Sequence, residues 1–148
     1  AITKECGVAI DVRYRTIATA SDGRNSVVRS EDGRIGLKLS APEELGGAGG
    51  AGTNSTQLFA AGFASCFMMA LKSAGRRCDM PVSQDTAVTA HVGFGPDIDG
   101  GFGLTVDLKV SLPRMERRDA EMLIEQADAL CSYSRATRGN VQVGYSLA

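Results

Sequence analysis

The chain opens on an alternation. Val8, Ile10, Val12 and Tyr14 interleave with Ala9, Asp11, Arg13 and Arg15, the period of two expected of a half-buried strand. Asp22-Gly23 and Asp32-Gly33 are turn signals that bracket Ser26 to Ser30, and Ile35, Leu37 and Leu39 alternate again. Together they predict an antiparallel meander of three strands. Residues 41–52 are Gly-rich and contain Pro42, so they predict a loop, with Asn54 or Ser55 placed to cap a helix. From Leu58 to Leu71 nearly every face is apolar, which predicts a helix running through the core or a subunit interface. Thr86, Val88, Ala90, Val92 and Phe94 alternate, as do Phe102, Leu104, Val106, Leu108, Val110 and Leu112, predicting a hairpin across residues 95–101. Pro113 breaks the second strand. Ala120, Leu123, Ile124, Ala127, Leu130 and Cys131 then fall at helical spacing, with Cys131 at the end of the inward face. Val141, Val143, Tyr145 and Leu147 close the chain as a strand. This order predicts a single α+β domain over residues 1–148 with largely antiparallel pairing.

Composition narrows the function classes. A chain of 148 residues fits one core, and 43% hydrophobic with 22% charged residues is ordinary for a globular protein. The formal net charge of -1 provides no electrostatic footprint for nucleic acid or an anionic membrane. Leu58 to Leu71 is shorter than the ~20 residues that span a bilayer, so no membrane span is expected. The N-terminal residues show no basic region followed by an apolar stretch, which points to the cytoplasm. Cytosol keeps thiols reduced, so Cys6, Cys66, Cys78 and Cys131 are read as reactive or structural thiols.

Cys66 shares its helical face with Phe59, Phe63, Met69 and Ala70. Taken alone, a Cys among Phe and Met reads as a small buried hydrophobe with a quenched thiol. Cys131 also ends an apolar face, but spacing does not show that two cysteines meet. Residues 47–52 satisfy GxGxxG literally, yet they leave a Pro-containing loop instead of a parallel strand, and no second strand ending in an acid follows. The glycines are read as letting the chain fold back closely over the active site. His91, the only histidine, falls on a polar strand face, and no metal site is expected. Cys6 and Cys78 match no motif. Arg114, Arg117 and Arg118, with Glu116, Asp119 and Glu121, read as the wet side of an amphipathic helix.

Longer motifs add what periodicity does not. Gly46 to Gly52, Thr53-Asn54, Gln57 to Phe63 and Cys66 resemble the organic hydroperoxide resistance family of the osmotically inducible protein C-like superfamily. Cys131, Tyr133, Ser134, Ala136, Thr137, Arg138, Gly139 and Asn140 resemble the segment where that family places its resolving cysteine. Thr19 to Arg24, Lys38 to Gly47 and the Gly-Phe-Gly-Leu of residues 101–104 align as well, so the resemblance covers most of the chain. It implies antiparallel sheets packed around a buried central helix in an intertwined homodimer. It also implies a cysteine-based peroxidase that needs no bound cofactor and is recycled by dihydrolipoamide or a lipoylated protein. Cys66 would attack the peroxide and Cys131 resolve the sulfenate as a disulfide, with Arg24 as the active-site cation. Phe59, Phe63, Phe67 and Met69 would form an apolar mouth favouring alkyl and lipid hydroperoxides over hydrogen peroxide.

The chain departs from the family's pattern in two places. Ser55 and Thr56 stand where the family usually has Pro and then Glu, so the carboxylate that ordinarily fixes the arginine is missing. Arg24 would then rely on Glu43 or Glu44, or on a hydroxyl and water. Ser132 and Arg135 are the second departure, expected to alter local charge and docking of the reductant. The competing expectation is a low-turnover relative that binds a lipid-like ligand or only senses oxidation.

Overall fold

The computed structural model describes residues 9–22 and 26–148. Arg24 and Cys6, and Val8 at the start of the first alternation, lie outside the described residues. The chain divides into two compact units, Ala1–Thr53 and Asn54–Ala148.

In the first unit, β1 (Ala18–Ser21), β2 (Val27–Ser30) and β3 (Gly36–Lys38) form an antiparallel meander in that order. The expected first strand is displaced. Residues 9–17 have no regular secondary structure, and Ile10 and Tyr14 are 71% and 77% exposed. Alternation says which face would be buried, but a strand also needs a neighbouring backbone, and among the described residues only Ile17 has one, its carbonyl accepting from the Glu31 N–H at 2.9 Å. After β3 the chain turns through a one-turn 3-10 helix, Glu43–Leu45. The Gly-rich segment then folds back on the end of β3, where a Cβ at Gly52 would lie 2.6 Å from the carbonyl carbon of Leu39. These glycines serve close backbone approach, with Gly52 N–H donating to Ser40 Oγ at 2.9 Å.

The second unit opens on α1 (Ser55–Arg77). Asn54 caps it, its Oδ1 accepting from the Gln57 N–H at 2.9 Å, an interaction worth ~1 kcal/mol. Arg76 and Arg77 sit in the last turn, where cations complement the helix dipole. The helix is long and apolar enough to cross a membrane, yet Phe63, Phe67, Ala70, Leu71 and Ala74 are buried in the unit's own core. β4 (Ala87–Pro96) and β5 (Phe102–Ser111) form the expected hairpin. Val106, Leu108, Val110 and Leu112 point from it into the core. α2 (Arg117–Leu130) adds Ala120, Leu123, Ile124 and Ala127. Arg114 is not on that helix: it precedes it and pairs with Asp85 at 2.9 Å.

A short helix, α3 (Ser132–Thr137), and β6 (Val143–Leu147) complete the unit. β6 joins β5 in parallel, giving the sheet order β4-β5-β6. A parallel neighbour requires a crossover, and α2 with α3 supplies it. The protein is therefore α+β, with antiparallel pairing between all its paired strands but β5 and β6, and α1 as its central helix, packed on α2 and β4.

Candidate active site

The junction of α2 and α3 brings the two thiols together. Cys131 has extended backbone angles, φ -67° and ψ 120°, so the chain bends there between two helices. Its N–H still donates to Ala127 O at 2.8 Å and its carbonyl accepts from Arg135 N at 3.0 Å. The side chain is 1% exposed and lies across α1, with its Sγ 3.4 Å from Cys66 Sγ. Cys66 is half-buried, and both thiols are free. A disulfide requires about 2.05 Å between sulfurs, so a small movement of the side chains joins them. Ser132 Oγ also stands 3.3 Å from Cys66 Sγ.

The two sulfurs are electrostatically unequal. Burial pushes the Cys66 thiol up, but hydrogen bonds from the Ser132 hydroxyl, the Tyr133 backbone N–H, the Cys131 thiol and the Ser132 N–H outweigh it. The net result lies below the ordinary thiol value. Burial also pushes Cys131 up; hydrogen bonds from the backbone and hydroxyl of Ser134 oppose this, while the neighbouring Cys66 adds to it, leaving Cys131 raised. One thiol is thus poised to ionise and its partner to stay protonated.

Aromatic rings gather on the turns of α1 that precede Cys66. Phe59 and Phe63 meet edge to face at 5.7 Å, and Tyr133 of α3 packs on both, at 6.1 and 5.7 Å. Gly62 permits this approach, since a Cβ there would lie 3.0 Å from the Tyr133 hydroxyl. Of the residues expected to form the apolar mouth, Phe59 is half-buried and Met69 is 68% exposed. Phe63 and Phe67 are fully buried. Phe67 turns to the core, where its ring lies tilted against Tyr145 at 5.4 Å. Thr56 lies in the first turn of α1, while Glu43 and Glu44 belong to the other compact unit. His91 is exposed on β4, and among the described residues no cluster of His, Cys, Asp or Glu forms a metal set.

Residues 47–146 match the OsmC-like protein family. The chain belongs to that family. It is 43% identical to the organic hydroperoxide resistance protein of Xanthomonas axonopodis pv. citri, over 93% of this chain and 96% of the relative. Among solved structures it resembles an organic hydroperoxide resistance protein OsmC from Legionella pneumophila (TM-score 0.86, 40% identity, 93% of this chain and 99% of that one). It likewise resembles the organic hydroperoxide resistance protein OhrB of Bacillus subtilis (TM-score 0.83, 36% identity, 93% and 100%).

For this OsmC-like chain, the structure gives the second motif a physical purpose. Ser134 and Thr137 are buried. The Ser134 and Tyr145 hydroxyls are 3.3 Å apart, Tyr145 donates to Asp128 Oδ1, and Arg138 pairs with Asp128 Oδ2 at 2.7 Å. Burial, then the bond to Asp128, raises the Tyr145 phenol above its ordinary value, so it stays a donor. This network ties β6 and α2 to the turn that carries Cys131. Asp128 and Ser132 are residues that pattern reading overlooked as site residues. Asp128 looks like any polar residue near a helix end, and Ser132 looks like a change in surface charge, because neither signals its distant partner.

Proposed function

We propose that this chain is a thiol-dependent peroxidase that reduces organic hydroperoxides to alcohols. The observation that carries the reading is the 3.4 Å approach of Cys131 to Cys66, with the outer thiol lowered and the inner one raised. The relatives' name, organic hydroperoxide resistance protein, supports the substrate class. The Cys66 thiolate attacks the distal oxygen of ROOH and the O–O bond breaks. The alkoxide takes a proton and leaves as ROH, and Cys66 becomes a sulfenic acid. Cys131 attacks that sulfur as a thiolate; the hydroxyl leaves and is protonated to water, and a disulfide forms. An external dithiol such as dihydrolipoamide or a lipoylated protein then takes up the disulfide by two exchanges and is itself oxidised.

Arg24, carried over from the family resemblance, is the cation for the peroxide oxygens in this reading. The homodimer comes from the same source. Exposed apolar side chains support it: Ile10, Tyr14 and Phe102 are uncovered in the single chain.

The test is stoichiometric. With dihydrolipoamide in excess, the reduced protein is expected to consume many equivalents of cumene hydroperoxide and to prefer it to hydrogen peroxide, which has no tail to bury. Consumption that stops near one equivalent would mark a redox sensor instead. Thr56→Glu probes the missing carboxylate. If Arg24 is loosely held, restoring an acid is expected to raise turnover of a hydrophobic hydroperoxide, because misplacing a catalytic group by about 1 Å can cost on the order of 100-fold. Unchanged turnover would mean that another group already positions the guanidinium.

A further inference from the structure

Ser132 follows Cys131 directly, and both side chains reach the same sulfur, at 3.3 and 3.4 Å. Their chemistry differs in one respect. A thiolate has no proton to offer, so once Cys66 ionises, both contacts must run toward it with the neighbour donating. Cys131 fills that role only while it is protonated, and it gives up its own proton later to resolve the sulfenate. Ser132 takes no part in bond making and keeps its hydroxyl proton throughout the cycle.

The position is also well fixed. Ser132 opens α3, whose last turn is tied down by Thr137 Oγ1 donating to the carbonyls of Tyr133 and Ser134 at 2.8 and 3.2 Å. Among the described residues, the groups that lower the Cys66 thiol are neutral donors from residues 131–133. This is one of the two places where the chain departs from its family's pattern, and the other is the lost carboxylate at Thr56. At 132 the side chain places a hydroxyl 3.3 Å from the Cys66 sulfur.

We propose that the Ser132 hydroxyl is a dedicated hydrogen-bond donor to the Cys66 thiolate, holding the sulfur ionised and aimed between peroxide and Cys131. The proposal deepens the peroxidase reading and rests on it for the purpose of the thiolate. The contact itself is tested without peroxide.

Fully reduced wild type, Ser132→Ala and Ser132→Thr are alkylated with iodoacetamide from pH 5 to 10, and modification of Cys66 is followed by mass spectrometry. Wild type is expected to reach half its plateau rate below pH ~8.5, the ordinary thiol value. Removing one donor to a charged group raises the Ser132→Ala midpoint by about one pH unit, a roughly tenfold loss of thiolate well below the midpoint. The thiolate that does form is more basic and hence more nucleophilic, so the alkaline plateau rises by roughly threefold. Ser132→Thr, which restores a hydroxyl, returns the profile toward wild type. A merely structural disturbance would not slow the reaction at low pH and speed it at high pH. Coincident midpoints for wild type and Ser132→Ala, or no recovery in Ser132→Thr, would overturn the proposal. The two readings fail separately. A shifted Ser132→Ala profile in a protein that does not turn over cumene hydroperoxide supports the donor and removes the peroxidase. Full turnover with an unshifted profile removes only the donor.

Discussion

Replacing Cys66 by serine is expected to abolish hydroperoxide consumption, with a loss of at least about 1000-fold, as for removal of other enzymes' nucleophiles. A serine hydroxyl at this position stays protonated at neutral pH, and the donors from Ser132, Tyr133 and Cys131 that favour a sulfur anion do not bring it near ionisation. Cys131→Ser should behave differently. Its Cys66 still attacks, so one equivalent of peroxide is consumed, and the cycle then stalls or slows at a sulfenic acid with no thiol 3.4 Å away to resolve it. Counting equivalents consumed per chain with excess dihydrolipoamide, and trapping the sulfenate with a dimedone-type reagent, separates the two variants. Wild-type turnover in both would sink the assignment of roles. The difference between the variants matters as much as the losses, since a shared folding defect would produce one phenotype, not two.

Phe67→Ala is expected to destabilise the protein by about 3–5 kcal/mol, the usual effect of removing a phenyl group from a packed core. Phe67 is fully buried and packs against the Tyr145 ring, so the deletion leaves a hole that rigid neighbours on α1 and β6 fill only in part. That is a large share of a typical stability of about 5–15 kcal/mol. A fall in melting temperature of roughly 6–20 °C, followed by circular dichroism, is the expected readout. A shift under about 2 °C would mean that Phe67 does not carry the core. The variant also bears on the site, because Tyr145 meets Ser134 and Asp128 beside the Cys131 turn. A chain that survives the deletion should therefore resolve its sulfenate more slowly.

How far pattern reading reached depended on what each element needed. The β4-β5 hairpin and α2 were legible because each buries one face against a core, and a buried face leaves its period in the sequence. The cap was legible to within one residue, Asn54 or Ser55, because capping is a contact across three residues, and the structure selects Asn54. The first alternation misled: residues 9–16 carry the apolar side chains of a strand without a neighbouring backbone among the described residues. β6 was legible as a strand but not as a parallel one, since direction relative to β5 is a property of the crossover. Grouping Phe67 with Cys66 reflected shared apolarity along α1, whereas the one-residue offset turns the ring toward Tyr145.

Residue order alone thus specified most of the helices and strands, though not β1 or α3, along with which faces seek burial and, through two long motifs, the family. These rest on neighbours within a turn or two, whose spacing the chain carries locally. Folding settled which groups surround the sulfur. Cys66 and Cys131 are 65 positions apart, and their meeting depends on α1 packing against α2 and on the bend at residue 131. The same packing turned Ser132 from an apparent change of surface charge into a neighbour of the thiol. Distances between remote side chains follow from the sum of all packing contacts, and no short stretch of sequence contains that sum.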